Sequence, residues 1–116
     1  MERIDAAGVQ SALDRLVNRD VYLHLETTTG AYAAHRGEQS MTVCAYIRNG
    51  LVRFARGAVS GEGPYRVGLK MENGWIYAEG LTDWEVDREG RLLLAGHDPE
   101  GRLAIALQLS ETPFPL

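Results

Sequence analysis

His24 and Glu26 stand two residues apart in Tyr22-Leu-His-Leu-Glu26, the spacing that sends two side chains to the same face of a β-strand. His97 and Asp98 lie side by side at the end of a later apolar run. If the two segments met, an imidazole and a carboxylate from each could surround a cation or move a proton, and a catalytic zinc site needs three such ligands and one open position. No pair of residues has the specific spacing of His-Glu-x-x-His on a helix. These four residues therefore form a polar or metal cluster only by expectation, and no metal ligand, catalytic residue or cofactor is assigned. A second constellation is Tyr77, Glu79, Asp83, Trp84 and Glu85. Carboxylates around an aromatic ring resemble the lining of sugar sites, and the segment reads as a ligand or partner surface. Acidic residues that keep an edge strand from aggregating would produce the same pattern.

Two further groups fail their tests. Cys44 sits between Val43 and Ala45 in an apolar run, which predicts a buried small hydrophobe and not the electropositive setting of a reactive thiol. Gly61-Glu-Gly63-Pro-Tyr-Arg66 has the look of a phosphate loop. It breaks the Gly-x-Gly-x-x-Gly pattern at Arg66 and leads into a strand, and Glu62 would repel an anion.

Composition narrows the class. A chain of 116 residues, 45% hydrophobic and 24% charged, is long enough to bury a core and too apolar to stay disordered. The unpaired Cys44 favours a reducing, cytoplasmic setting. The first residues are charged where a signal peptide is apolar, and no run reaches transmembrane length. A net charge of −4 with a single lysine, Lys70, argues against nucleic acid, which is bound by clustered cations, and no basic amphipathic helix suggests a membrane surface.

The elements that must carry these residues are short strands. Residues 5–18 hold the one helical pattern, with Val9, Leu13, Leu16 and Val17 as its stripe, Asp5 as N-cap and Gln10 on the wet side. Gly8 costs that helix roughly 1 kcal/mol relative to Ala. From residue 20 to about 110 the period is two, broken by turn residues every eight to twelve positions, which predicts an antiparallel hairpin meander. A strand over 20–28 is followed by a turn at Thr29-Gly30, a short strand over 31–34, a polar loop over 35–40 and a strand over 41–48. Asn49-Gly50 and Asn73-Gly74 are expected to be type I′ hairpin turns. The hairpin over 61–80 is expected mid-sheet, with Trp75 and Tyr77 alternating with Ile76 and Ala78 so that both faces are buried. Asp87-Arg-Glu-Gly90 and Asp98-Pro-Glu-Gly101 are expected to be turns ending on a left-handed glycine. The small faces of Ala104 and Ala106 offer the helix a place to dock. The tail over 111–116 is irregular, since its prolines remove ladder donors. The expected fold is mainly β: one domain over 1–116, a distorted two-layer sandwich or barrel with one N-terminal helix.

The segments Asp-Val-Tyr-Leu-His-Leu-Glu-Thr-Thr (20–28), Ala-Tyr-Ile-Arg-Asn-Gly (45–50) and Gly-Pro-Tyr-Arg-Val-Gly-Leu-Lys (63–70) resemble the YojF family of Bacillus-like Gram-positive bacteria. So do Gly-Trp-Ile-Tyr-Ala-Glu-Gly-Leu-Thr-Asp-Trp-Glu (74–85), Leu-Ala-Gly-His-Asp (94–98) and Ala-Leu-Gln-Leu-Ser-Glu-Thr-Pro-Phe (106–114). The resemblance implies a mainly β, irregular sandwich and a gene beside a zinc-dependent deacetylase of the kind used in bacillithiol synthesis. It implies no catalytic motif. The expectation is an uncharacterised cytoplasmic accessory protein that binds a partner protein, the deacetylase among the candidates, or a small metabolite. A small enzyme using His, carboxylate or metal-assisted chemistry is the alternative, and a homodimer through an open sheet edge is a third reading.

Overall fold

The computed structural model describes residues 1–28 and 44–116. The expected turn at 29–30, strand at 31–34, loop at 35–40 and first residues of the strand over 41–48 lie outside them. The chain runs through β1 (Glu2–Arg3), α1 (Ala6–Asp14), β2 (Val21–Thr27), β3 (Tyr46–Val52), β4 (Arg56–Gly61) and β5 (Tyr65–Met71). It continues through β6 (Gly74–Leu81), β7 (Asp83–Val86), β8 (Leu92–His97) and β9 (Leu103–Ser110). All pairings are antiparallel. The strands form a six-stranded sheet ordered β1-β7-β8-β9-β2-β3 and a three-stranded sheet ordered β4-β5-β6. The mainly β, two-layer reading with one short N-terminal helix holds, and the described strands close no barrel.

The alternation on β2, β5, β8 and β9 sets the core. Leu23, Leu109 and Leu92 form one row across the large sheet, and Leu25, Leu107, Leu94 and Trp84 the next. Val67 and Leu69 face them from the small sheet, with Phe54 and Leu13 fully buried between the layers. Each such side chain contributes roughly 1.5–3 kcal/mol by leaving water.

Where the layers meet, nothing larger than glycine fits. A Cβ on Gly96 would lie 2.0 Å from the Gly80 carbonyl oxygen. At that corner the chain leaves the small sheet, with Gly80 at φ 80°, and enters the large one as β7.

The helix docks elsewhere than on Ala104 and Ala106. Val9, Ala12 and Leu13 are buried in the core, and the helix lies against β4, where a Cβ on Gly57 would meet the Leu13 Cβ at 3.2 Å. Gln10 is not on a wet side: its Nε2 donates to the Gly57 carbonyl at 2.8 Å and its Oε1 accepts the Val59 N–H at 3.1 Å. One side-chain amide thus stands in for a neighbouring strand and blunts the β4 edge. Gly8 has a tertiary reason for its local cost, because a Cβ there would fall 2.6 Å from Trp84 Cη2. The regular helix ends at Asp14, and Asn18 turns the chain at φ 60°.

The two Asn-Gly hairpin expectations are corrected. Asn49-Gly50 lies inside one strand, β3, where the β2 pairing slips between Leu23 and Leu25. Asn49 is at φ 60°, so its freedom to enter the left-handed region makes a bulge and not a reversal. The turn between β5 and β6 is Glu72-Asn73, since Met71 pairs with Gly74; neither Asn73 nor Gly74 has the positive φ of a type I′ turn. The two Asp turns behave as expected. Asp87 Oδ1 accepts the N–H groups of Glu89 and Arg91 at 3.0 and 2.9 Å, and Gly90 has φ 77°. Asp98 repeats this with Glu100 and Arg102, both at 2.9 Å, and Gly101 at φ 82°.

Candidate functional site

The expected surface around Trp84 separates into three places. Trp84 points inward, half-buried beneath α1 against Gly8, and its indole Nε1 has no partner among the described residues. Asp83 and Glu85 point the other way, onto the outer face of the large sheet. Tyr77 and Glu79 lie on the outer face of the small sheet. The alternation of β7 makes the first split. The second follows from the passage at Thr82 from one sheet to the other.

The two histidines share the outer face of the large sheet without converging. Its rows run His24–Gln108–Leu93–Glu85 and Glu26–Ala106–Ala95–Asp83, with His97 two residues beyond Ala95. His24 and His97 are thus two strands apart, about 10 Å, and two rows apart, about 13 Å along the strands. Among the described residues no group of three or more His, Cys, Asp or Glu could hold a metal ion.

His24 is 5% exposed, so it does not lie on a solvated strand face. Its Nε2 and Glu26 Oε1 are 3.1 Å apart, and the rings of Tyr46 and Phe114 meet it edge-on at 5.3 and 6.4 Å. Phe114, from the tail, is what covers it. The Asn49 side chain accepts the Phe114 N–H at 2.7 Å and donates to its carbonyl at 2.9 Å. Arg48 and Arg91 stand over the Phe114 ring at 4.9 and 5.7 Å. The bulge at Asn49 and the apolar residue in a proline-flanked tail are thus one device. Cys44, expected to be buried, is exposed.

At the other end of this face lies an open cleft of about 700 Å³, lined among others by Arg3, Pro64, Thr82, Asp83, His97 and Asp98. His97 Nδ1 is 3.8 Å from Asp83 Oδ1 and 3.5 Å from Thr82 Oγ1. Asp98 lines the cleft but is already engaged, with Arg102 Nε donating to its Oδ2 at 2.9 Å. The Arg102 N–H holds its carboxyl below the usual value; burial opposes this, and the Arg102 guanidinium and Glu100 N–H reinforce it. The partner of His97 is therefore Asp83, which sequence spacing could not single out.

The small sheet presents a different outer face. Trp75 and Tyr77 on β6 are 41% and 48% exposed and stack in parallel, with centroids 5.4 Å apart and planes 8° apart. Lys70, opposite Trp75 in the β5 register, places its Nζ 5.2 Å from the indole centroid. Arg66 lies 4.8 Å from the Tyr77 ring and pairs with Glu79. Gly68, opposite Tyr77, leaves room for both rings, since a Cβ there would meet Tyr77 Cε1 at 2.9 Å. Arg56 on β4 stands opposite Lys70. The expectation that both faces of this hairpin are buried is corrected: Ile76 and Ala78 face the core and the two rings face out. The expected position in mid-sheet holds for β5 only, because β6 is an edge strand.

Among the described residues these features define a two-sheet antiparallel β protein with one short helix, one outer face plugged by the chain's own tail and the other left uncovered. The chain belongs to the family described as "Protein of unknown function (DUF1806)", whose sequence profile matches residues 3–114. It is 60% identical over 114 residues to the protein named "Uncharacterized protein YojF" of Bacillus subtilis (strain 168), covering 98% of each chain. The crystal structure of Bacillus subtilis YojF protein superposes with a TM-score of 0.83 at 55% identity, over 99% of this chain and 97% of the other. Among the described residues no helix is long and apolar enough to cross a membrane.

Proposed function

We propose that this protein is an accessory binding protein that docks an acidic surface of a partner protein on the outer face of β4, β5 and β6. The observation that carries this reading is the exposed, stacked pair Trp75 and Tyr77 with Lys70 and Arg66 at its sides. Exposed Trp, Tyr and Arg held in one conformation are the residues that dominate contact energies, because a fixed ring loses little entropy on binding. The charge supports an acidic partner: Arg56, Arg66 and Lys70 share this face with Glu79, in a chain of net charge −4.

The zinc-dependent deacetylase implied by the family resemblance is the partner to test first. Titrating purified deacetylase against this protein should give a complex that Trp75→Ala with Tyr77→Ala weakens strongly and Lys70→Glu weakens through charge. Absence of a complex at tens of micromolar removes the deacetylase. If light scattering shows that the same two substitutions dissociate a homodimer, this face is an interface between copies instead. The enzyme reading retains one observation, the His97–Asp83 pair in the cleft, and would predict that a substrate reacts there.

A further inference from the structure

We infer that the cleft between the large sheet and the loop before β5 is a binding site for a small oxyanion, a phosphate or a carboxylate, held by Arg3 and His97. This does not rest on the docking reading, because Trp75, Tyr77, Lys70 and Arg66 are not among the residues that line the cleft. Prolines stand at its rims, Pro64 on one side and Pro99 in the Asp98 turn on the other. Gly80, Gly101 and Ala104 also line it, and such small residues leave space for a ligand among them.

The charge argument turns on which groups are already used. Asp98 has both carboxylate oxygens occupied by the Arg102 side chain and by backbone N–H groups, so it neither repels an anion strongly nor binds a cation. Asp83 Oδ1 lies 3.8 Å from His97 Nδ1, an arrangement that orients the ring and leaves Nε2 as its other polar atom. Arg3 is different. It stands opposite Asp83 in the β1–β7 register, yet no carboxylate forms an ion pair with it among the described residues. Arg3 also lines a second hollow beside the first, with Pro64 and Thr82 again in its wall; Glu62 lines that second hollow but not the cleft. A guanidinium with all five donors available at a concave polar surface is suited to bidentate binding of a carboxylate or phosphate. Thr82 Oγ1 lies beside the imidazole but is already engaged, donating to the Ala95 carbonyl at 3.4 Å and accepting the His97 N–H at 3.2 Å, so Arg3 and His97 carry the site. A divalent cation fits less well, since Asp98 is spent and Arg3 would repel it.

The test is a titration followed through the His97 ring resonances, with inorganic phosphate in one arm and succinate in the other. Sodium chloride at matched ionic strength and constant pH is the control. A saturable shift in either arm at millimolar concentration, absent with chloride, is expected, and the stronger arm tells phosphate from carboxylate. Arg3→Ala should weaken that binding about tenfold or more, while Arg3→Lys retains part of it. Arg56→Ala, on the far sheet, should leave it unchanged. Amide spectra of each variant show that it is folded. No saturable shift in either arm, or a shift that survives Arg3→Ala in a folded protein, overturns the assignment.

Discussion

The outer face of the large sheet and the outer face of the small one are both built from alternate residues, and only one of them is covered. On the large sheet Phe114, 4% exposed, closes over His24 and is pinned by Asn49, Arg48 and Arg91. On the small sheet no described residue covers Trp75 and Tyr77 in this way, and Lys70 and Arg66 stand beside them. The same chemistry, a cation over an aromatic ring, thus serves burial in one place and display in the other. The difference is solvent. A ring removed from water stabilises the fold, whereas a ring left in it contributes little to that stability.

The largest expected effect lies where the sheets touch. Gly96→Ala would drive a methyl into the Gly80 carbonyl, and chemical denaturation should show a loss of more than about 4 kcal/mol or no folded protein. A tolerated Ala would show that the sheets can part and that their two faces are less fixed than described. Next comes the plug: Phe114→Ala should cost about 3 kcal/mol, measured by urea unfolding, and expose His24 to solvent. Asn49→Ala removes both hydrogen bonds to the Phe114 backbone and places Ala at a positive φ, a loss of about 2 kcal/mol. On the bare face Trp75→Ala should change stability by less than about 1 kcal/mol while costing partner affinity more than about 2 kcal/mol. Equal stability losses at Phe114 and Trp75 would erase the contrast.

The smallest effect is a pH dependence on the covered side. Burial works to raise the carboxyl of Asp87, but the Arg91 N–H and guanidinium and the Glu89 N–H outweigh it and hold it below its ordinary 3.8. A group depressed in the folded state stabilises above its unfolded value and loses that contribution as pH falls through the folded one. Urea midpoints followed from neutral pH down to about pH 3 should therefore fall below about pH 4, and Asp87→Asn should flatten that decline.

Much of this was legible in the residues. The Asp-x-Glu-Gly-Arg segments at 87–91 and 98–102 state their own turns, because the Asp carboxylate and the left-handed Gly act within five residues. Alternation likewise gave the strands and the inner positions of β2, β5 and β9. What failed were inferences that needed a distant partner. Asn49-Gly50 carries the same local signal as a hairpin turn, and only the approach of Phe114 makes it a bulge. His97 was matched with its neighbour Asp98, although its partner is Asp83 on the adjacent strand.

The amino-acid order by itself determined most of the extended segments, the two reversals that begin at Asp87 and Asp98, and the fact that each strand has two unlike sides. Tertiary structure alone decided which side meets water. Trp84 turns inward beneath the helix, Trp75 outward, and His24 disappears under a phenylalanine ninety residues away in the chain. A period of two distinguishes the faces of a strand but carries no information about what will lie on top of them, and burial depends on that covering atom.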